Sequence, residues 1–135
     1  VAGDAPSSVV YQNDRTLAMM TLRPMSRGHI LVIPKKHSAS LSEMRYKTGG
    51  ELFEVGMKIA EALRASEIES EGINFWLADG KVAGQEVFHV HLHVLPRSET
   101  DEICLEGPRL DLKRSEMDSD AEVVKERLNE NEDGL

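Results

Sequence analysis

Three of the five histidines in this chain, His89, His91 and His93, stand at every second position, with apolar Val90, Leu92 and Val94 between and after them. Successive side chains of a strand point to opposite faces. The alternation therefore predicts a strand with all three imidazoles on one face, rooted roughly 6–7 Å apart at about 3.3 Å rise per residue. Val90, Leu92 and Val94 then line the other face and can pack on a helix. Three chemistries are open to such a row. The rings could be structural, although each buried imidazole then needs its own hydrogen-bond partner. They could converge on a metal ion, since neutral imidazole is a common zinc ligand; this strand offers no carboxylate on the same face and the chain no thiol cluster. Or one imidazole could attack phosphorus while its neighbours hold the phosphoryl oxygens.

Composition narrows the classes. Cys104 is the only cysteine, which excludes an intrachain disulfide and a Cys-x-x-Cys zinc site within these 135 residues. The formal charge is −8 and the sequence pI about 5.1. A chain so acidic is not built to grip nucleic-acid backbone by counterion release. A small phosphate ligand remains open to it, steered by local dipoles and the few basic residues near the site, because the global field opposes an anion. No stretch approaches the roughly 18–20 apolar residues of a membrane span, and the N-terminus lacks a basic-then-apolar signal. The expectation is a cytoplasmic protein with no membrane or nucleic-acid partner.

The run His89–Leu95 reads His, apolar, His, apolar, His, apolar, apolar, and it follows Gly84-Gln85 and precedes Pro96-Arg97. Upstream lies a second block, Pro24-Met25-Ser26-Arg27-Gly28-His29-Ile30-Leu31-Val32-Ile33-Pro34-Lys35-Lys36-His37. Both resemble the two common segments of the histidine triad (HIT) family of nucleotide hydrolases and transferases, and the resemblance extends from about Val1 to Arg97. It implies that His91 is the nucleophile, attacking the α-phosphorus of a nucleoside phosphoramidate or dinucleoside polyphosphate. The nucleotidyl-histidine so formed is then hydrolysed to a nucleoside monophosphate. It also implies that His89, His93, Gln85 and Gly84 hold or orient the phosphate and that His29 lies against the triad. Thr21, Leu22 and Ala78 fall at positions that contact the nucleoside, and the substrate implied is a purine nucleotide. Imidazole suits the role, being nucleophilic near neutral pH without an activated hydroxyl.

Three positions depart from the family pattern. Thr21 stands where an acid or Asn often holds the ribose, Ala78 where Asn is frequent, and Glu86 where Ser or Thr commonly follows the Gln. A carboxylate at Glu86 would repel phosphate if it faced the pocket, and bonding to a histidine is the alternative. His37 resembles a zinc ligand of members that carry a Cys pair; with no such pair here it is expected to lack partner ligands for zinc, and neither metal nor other cofactor is expected. The rival to an enzyme is a nucleotide-binding or scaffolding protein with little turnover. The resemblance also implies a homodimer.

The elements that must position these residues can be read in order. Val9-Val10-Tyr11-Gln12 and Thr16-Leu17-Ala18-Met19-Met20 flank Asn13-Asp14 and predict a hairpin. Met19 and Met20 read as core positions, with a place in a base pocket as the alternative. His29–Ile33, ended by Pro34, predicts a buried strand. Ser40-Leu41-Ser42-Glu43 and Thr48-Gly49-Gly50-Glu51 match the capping-box pattern and mark two helix starts. Leu52, Val55, Gly56, Ile59, Ala60 and Leu63 predict an amphipathic helix over about 49–65. Ile73–Leu77 predicts the strand before the triad strand. Ser119 is expected to cap a last helix running to about Asn129. The chain is thus expected to be one domain over residues 1–135, with a looser pattern from about residue 98. Its class is α+β, a HIT-like fold with a mostly antiparallel sheet of about five strands, one long helix and a C-terminal helix.

Overall fold

The computed structural model describes residues 8–133. Strands β1 (Val9–Gln12), β2 (Thr16–Met20), β3 (Ile30–Pro34), β4 (Gly72–Leu77) and β5 (Leu92–Arg97) form a single sheet in the order β1-β2-β3-β5-β4. Every neighbouring pair is antiparallel. Helix α1 (Tyr46–Arg64) connects β3 to β4, and helix α2 (Arg114–Asp133) follows the sheet. Contacts divide the chain into two compact units, one ending at Ile103 and one beginning at Cys104.

The hairpin forms where Asn13 can bridge it. Its Oδ1 accepts from the backbone N–H groups of Arg15 and Thr16, so the side chain replaces a backbone partner in the turn. α1 lies against the sheet through Leu52, Val55, Ile59 and Leu63, which meet Ala18, Ile30, Val32, Val90, Leu92 and Val94 in one buried cluster. The apolar members of the histidine run thus sit where their alternation placed them. The helix comes unusually close to the sheet at Gly56, where an added Cβ would lie 3.1 Å from Leu92 Cδ2 and from Phe75 Cε2. Met20 packs against this core, whereas Met19 faces the opposite side of the sheet and lines a cleft.

The capping patterns mislead in both places. α1 begins at Tyr46, after an extended Arg45 that makes no side-chain cap, and Thr48 lies inside the first turn. The carboxylate of Glu51 is held instead by Arg15 Nε at 2.9 Å, so the acid of the predicted box serves the hairpin. Ser40 opens only a 3₁₀ turn, Leu41–Glu43, in which Glu43 accepts from the Ala39 N–H and the Ser40 hydroxyl pairs with that of Ser42. α2 begins at Arg114, five residues before Ser119. There Glu116 reaches back to the Lys113 N–H at 3.3 Å, giving half of a capping box without a hydroxyl. The helix exposes nearly all its described side chains and carries Glu122–Lys125 and Arg127–Glu130 pairs one turn apart.

Candidate active site

β5 is shorter than the histidine alternation suggests. It starts at Leu92, and residues 85–91 approach it as an irregular segment. The three imidazoles therefore do not stand in one row. Two backbone anchors shape the segment: Val90 N–H donates to Ser38 O at 2.7 Å, and His89 N–H to Val87 O at 2.8 Å. The buried Gln85 adds a third. Its Oε1 accepts from Gly80 N–H and its Nε2 donates to Ala39 O, both at 2.8 Å, so both ends of the amide hold the loop in place.

His89 turns away from its neighbours. Its Nε2 donates to Pro34 O at 2.8 Å, which leaves Nδ1 of the neutral ring as acceptor for Nδ1–H of His37 at 3.2 Å. His37 thus takes a hydrogen-bond partner, because the segment carrying His89 folds back over the end of β3. Two imidazoles are half of the tetrahedral set zinc takes. Among the described residues no cluster of three or more His, Cys, Asp or Glu could complete it.

His93 sits mid-sheet, opposite Leu31 on β3 and Trp76 on β4. The Trp76 ring stacks on it, centroids 5.4 Å apart, and His91 meets it edge-on at 4.9 Å. His29, 2% exposed, reaches it from just before the start of β3 with Nε2 to Nδ1 at 2.8 Å. Gly28 permits the turn that delivers His29. Its φ is +86°, and a Cβ there would come within 2.9 Å of Ile68 Cγ2 and 3.0 Å of Leu63 Cδ2. Ser26 Oγ fastens the same loop to Pro96 O at 2.8 Å.

The hydrogen bonds fix the tautomers. Met25 N–H donates to His29 Nδ1 at 3.1 Å, so the proton of neutral His29 is on Nε2 and is given to His93 Nδ1. His93 then carries its own proton on Nε2, as a donor. His91 Nδ1 lies 2.8 Å from His89 O, a carbonyl that can only accept, so Nδ1 is protonated and Nε2 of the neutral ring is left as a lone pair. Burial pushes the pKa of His29 down, with the neighbouring His91 adding to it. The same two causes, burial first, and then His29, lower His93 to about 4. Both rings are neutral at physiological pH.

His91 lies between two adjoining clefts. One, of about 320 Å³, is lined by Thr21, Arg23, His29, Trp76, Gly84, Glu86, His91 and His93 together with Met25, Leu31 and Val87. The other, of about 240 Å³, is apolar apart from the imidazoles and is lined by Met19, Leu31, Ile33, Val87, His89 and His91. Of the residues singled out in the sequence, Thr21, Gly84, Glu86, His29, His91 and His93 come together in the first cleft. Leu22 is exposed, Ala78 is buried, and Gln85 has its amide occupied by the loop. Glu86 bonds to no histidine; its carboxylate faces Arg23 Nη1 at 3.4 Å. Sequence reading missed Arg23 and Trp76. The register Trp76↔His93 would have placed the tryptophan, but it requires knowing where β5 begins. A separate groove of about 300 Å³ between β1 and α1 holds Lys58 as its only charged lining residue and no imidazole.

Comparison with known proteins agrees with this architecture. A family model described as HIT domain matches residues 2–100. An uncharacterized HIT-like protein of Mycobacterium tuberculosis is 32% identical over 128 residues, covering 95% of this chain and 88% of that protein. The adenylylsulfatase HINT3 of Arabidopsis thaliana is 32% identical over 105 residues, covering 78% of this chain but 52% of that protein. The crystal structure of a histidine triad nucleotide-binding protein from Candida albicans superposes with a TM-score of 0.82 at 26% identity, covering 95% of this chain and 92% of that one. With its sheet, helices and histidine cluster in place, and a family model spanning residues 2–100, the chain belongs to the HIT domain family.

Proposed function

We propose that this protein is a nucleotide hydrolase that acts at the α-phosphorus of a nucleoside phosphoramidate or dinucleoside polyphosphate through a nucleotidyl-His91 intermediate. The observation that carries the reading is the 2.8 Å hydrogen bond from His91 Nδ1 to His89 O, which leaves Nε2 unprotonated on a ring that meets the proton-bearing His93 edge-on at 4.9 Å. The lone pair of Nε2 forms the N–P bond as the bond from phosphorus to the leaving group breaks, and the leaving group departs with a proton taken from solvent. Water then attacks the same phosphorus, displaces His91 and restores its lone pair, giving a nucleoside monophosphate. His93 Nε2–H supports both transfers by donating to a phosphoryl oxygen, and the left-handed backbone at Gly84, φ +104°, lets the chain come close to it. The apolar cleft floored by Met19, Leu31 and Ile33 suits the face of a purine. Similarity to proteins named as a nucleotide-binding protein and as an adenylylsulfatase supports a nucleotide as the ligand.

One observation favours the rival, a nucleotide-binding protein with little turnover: Ala78 has no polar side chain to offer a ligand, and the buried amide of Gln85 is engaged at both ends by the loop. A single assay decides between them. Purified protein is given adenosine phosphoramidate and diadenosine polyphosphates, with and without EDTA, and AMP is measured. AMP release unaffected by EDTA is expected; nucleotide affinity without release would favour the rival. Loss on chelation and recovery with zinc would make the imidazoles metal ligands.

A further inference from the structure

Among the residues lining the larger cleft is a largely exposed ion pair, Arg23–Glu86, that no step of this chemistry uses. Arg23 follows β2 and Glu86 lies 63 residues later, two places after Gly84, so the 3.4 Å pair Arg23 Nη1–Glu86 Oε2 ties together two separate segments that line the cleft. We propose that this pair selects the leaving group, favouring an amine that carries a further positive charge over a leaving group made of phosphates. The proposal rests on the hydrolase reading above and adds the charge class of the group expelled.

Charge at the site carries it. Among the residues lining that cleft, Arg23 and Glu86 bear the only formal charges besides the imidazoles, and His29 and His93 are kept neutral by burial. A polyphosphate leaving group brings several negative charges to a cleft whose one guanidinium is already matched by a carboxylate, in a chain of net charge −8. A phosphoramidate of a diamine brings opposite charges, as the cleft offers them. Its phosphoryl oxygens take Arg23, and its distal ammonium takes Glu86. Both side chains are largely exposed, 86% and 78%, so their mutual bond is weak and opens readily for such an exchange. Trp76, 37% exposed and lining the same cleft, gives the cation an aromatic face as well. In the step itself the P–N bond breaks as the His91 Nε2–P bond forms, and the departing nitrogen gains one proton from solvent. The distal ammonium keeps its charge throughout.

The test compares kcat/KM for three adenosine substrates, the phosphoramidate of ethylenediamine, the phosphoramidate of propylamine and diadenosine tetraphosphate. Wild type, Glu86→Gln and Glu86→Lys are measured, with AMP affinity and thermal midpoint as controls on site and fold. Wild type is expected to prefer the diamine substrate to the propylamine one roughly fivefold, a factor in keeping with one exposed charge pair. Glu86→Gln should erase that preference, and Glu86→Lys should shift the ratio of tetraphosphate to diamine turnover by roughly tenfold toward the tetraphosphate. Turnover in wild type with the same ratios in all three proteins would overturn the role of the pair and leave the hydrolase reading standing. No turnover of any substrate by wild type would overturn both.

Discussion

At the scale of single residues, the site depends on where protons sit on four imidazoles. Replacing His91 by Gly removes the attacking nitrogen and leaves the His29–His93 pair untouched. Turnover should fall by at least about a thousandfold while AMP still binds, and single-turnover kinetics with calorimetry checks both. His93 yields a second prediction, on stability. Its pKa is about 4 in the fold and about 6.5 in an unfolded chain. Between those values the unfolded chain binds a proton that the folded chain does not, so stability falls as pH falls through that window and is fully present above it. Denaturant midpoints should be lower at pH 5 than at pH 7, and His93→Gln should narrow the gap, with His29 supplying part of what remains. Asp101 acts in a separate range. Its carboxylate is held far below the usual value by Arg97 and by the Ser98 N–H, so its contribution is lost only below about pH 4.

At the scale of elements, the sequence was most legible where burial is one-sided. Val90, Leu92 and Val94, and the stripe from Leu52 to Leu63, announced their partners by period alone, and they form the core. It was least legible where a side chain had a remote competitor. Glu51 fits a capping box by spacing, but Arg15 on the hairpin takes its carboxylate, and no local pattern reports a contact 36 residues away. The histidine run shows the same limit. Its alternation is that of a strand throughout, yet Ser38 and Pro34 draw the segment around His89 and Val90 off the sheet and His89 leaves the row. His91 and His93 stood out by type and spacing, whereas Arg23 and Glu86 meet only through the fold. Packing at this scale is tested at Gly56. Valine there would press on Leu92 and Phe75, which lie 3.1 Å from the first added carbon, and should destabilise by about 1–3 kcal/mol. Valine at exposed Gly50, where an added Cβ meets nothing, would lack that overpacking. Urea unfolding of the two variants separates the close approach from the general effect of glycine in a helix.

At the scale of the whole molecule, the sheet has two edges, β1 and β4, and β4 borders the site through Trp76. An unpaired edge invites a second chain, and a twofold axis beside β4 would protect it in both copies at once. We therefore expect a symmetric homodimer. Light scattering at micromolar concentration should give about twice the 15.0 kDa chain mass, and a species at the chain mass itself would refute it.

The contact between Trp76 and His93 has one more consequence. Trp76 is the chain's only tryptophan, so the tryptophan emission of the protein comes from an indole stacked on an imidazole of the site. An imidazolium quenches indole far more than a neutral ring does. Emission should hold steady from neutral pH down to about 5 and dim as His93 takes a proton near pH 4. A nucleotide entering the cleft should change the same signal, which gives the molecule a built-in optical reporter of occupancy that needs no label.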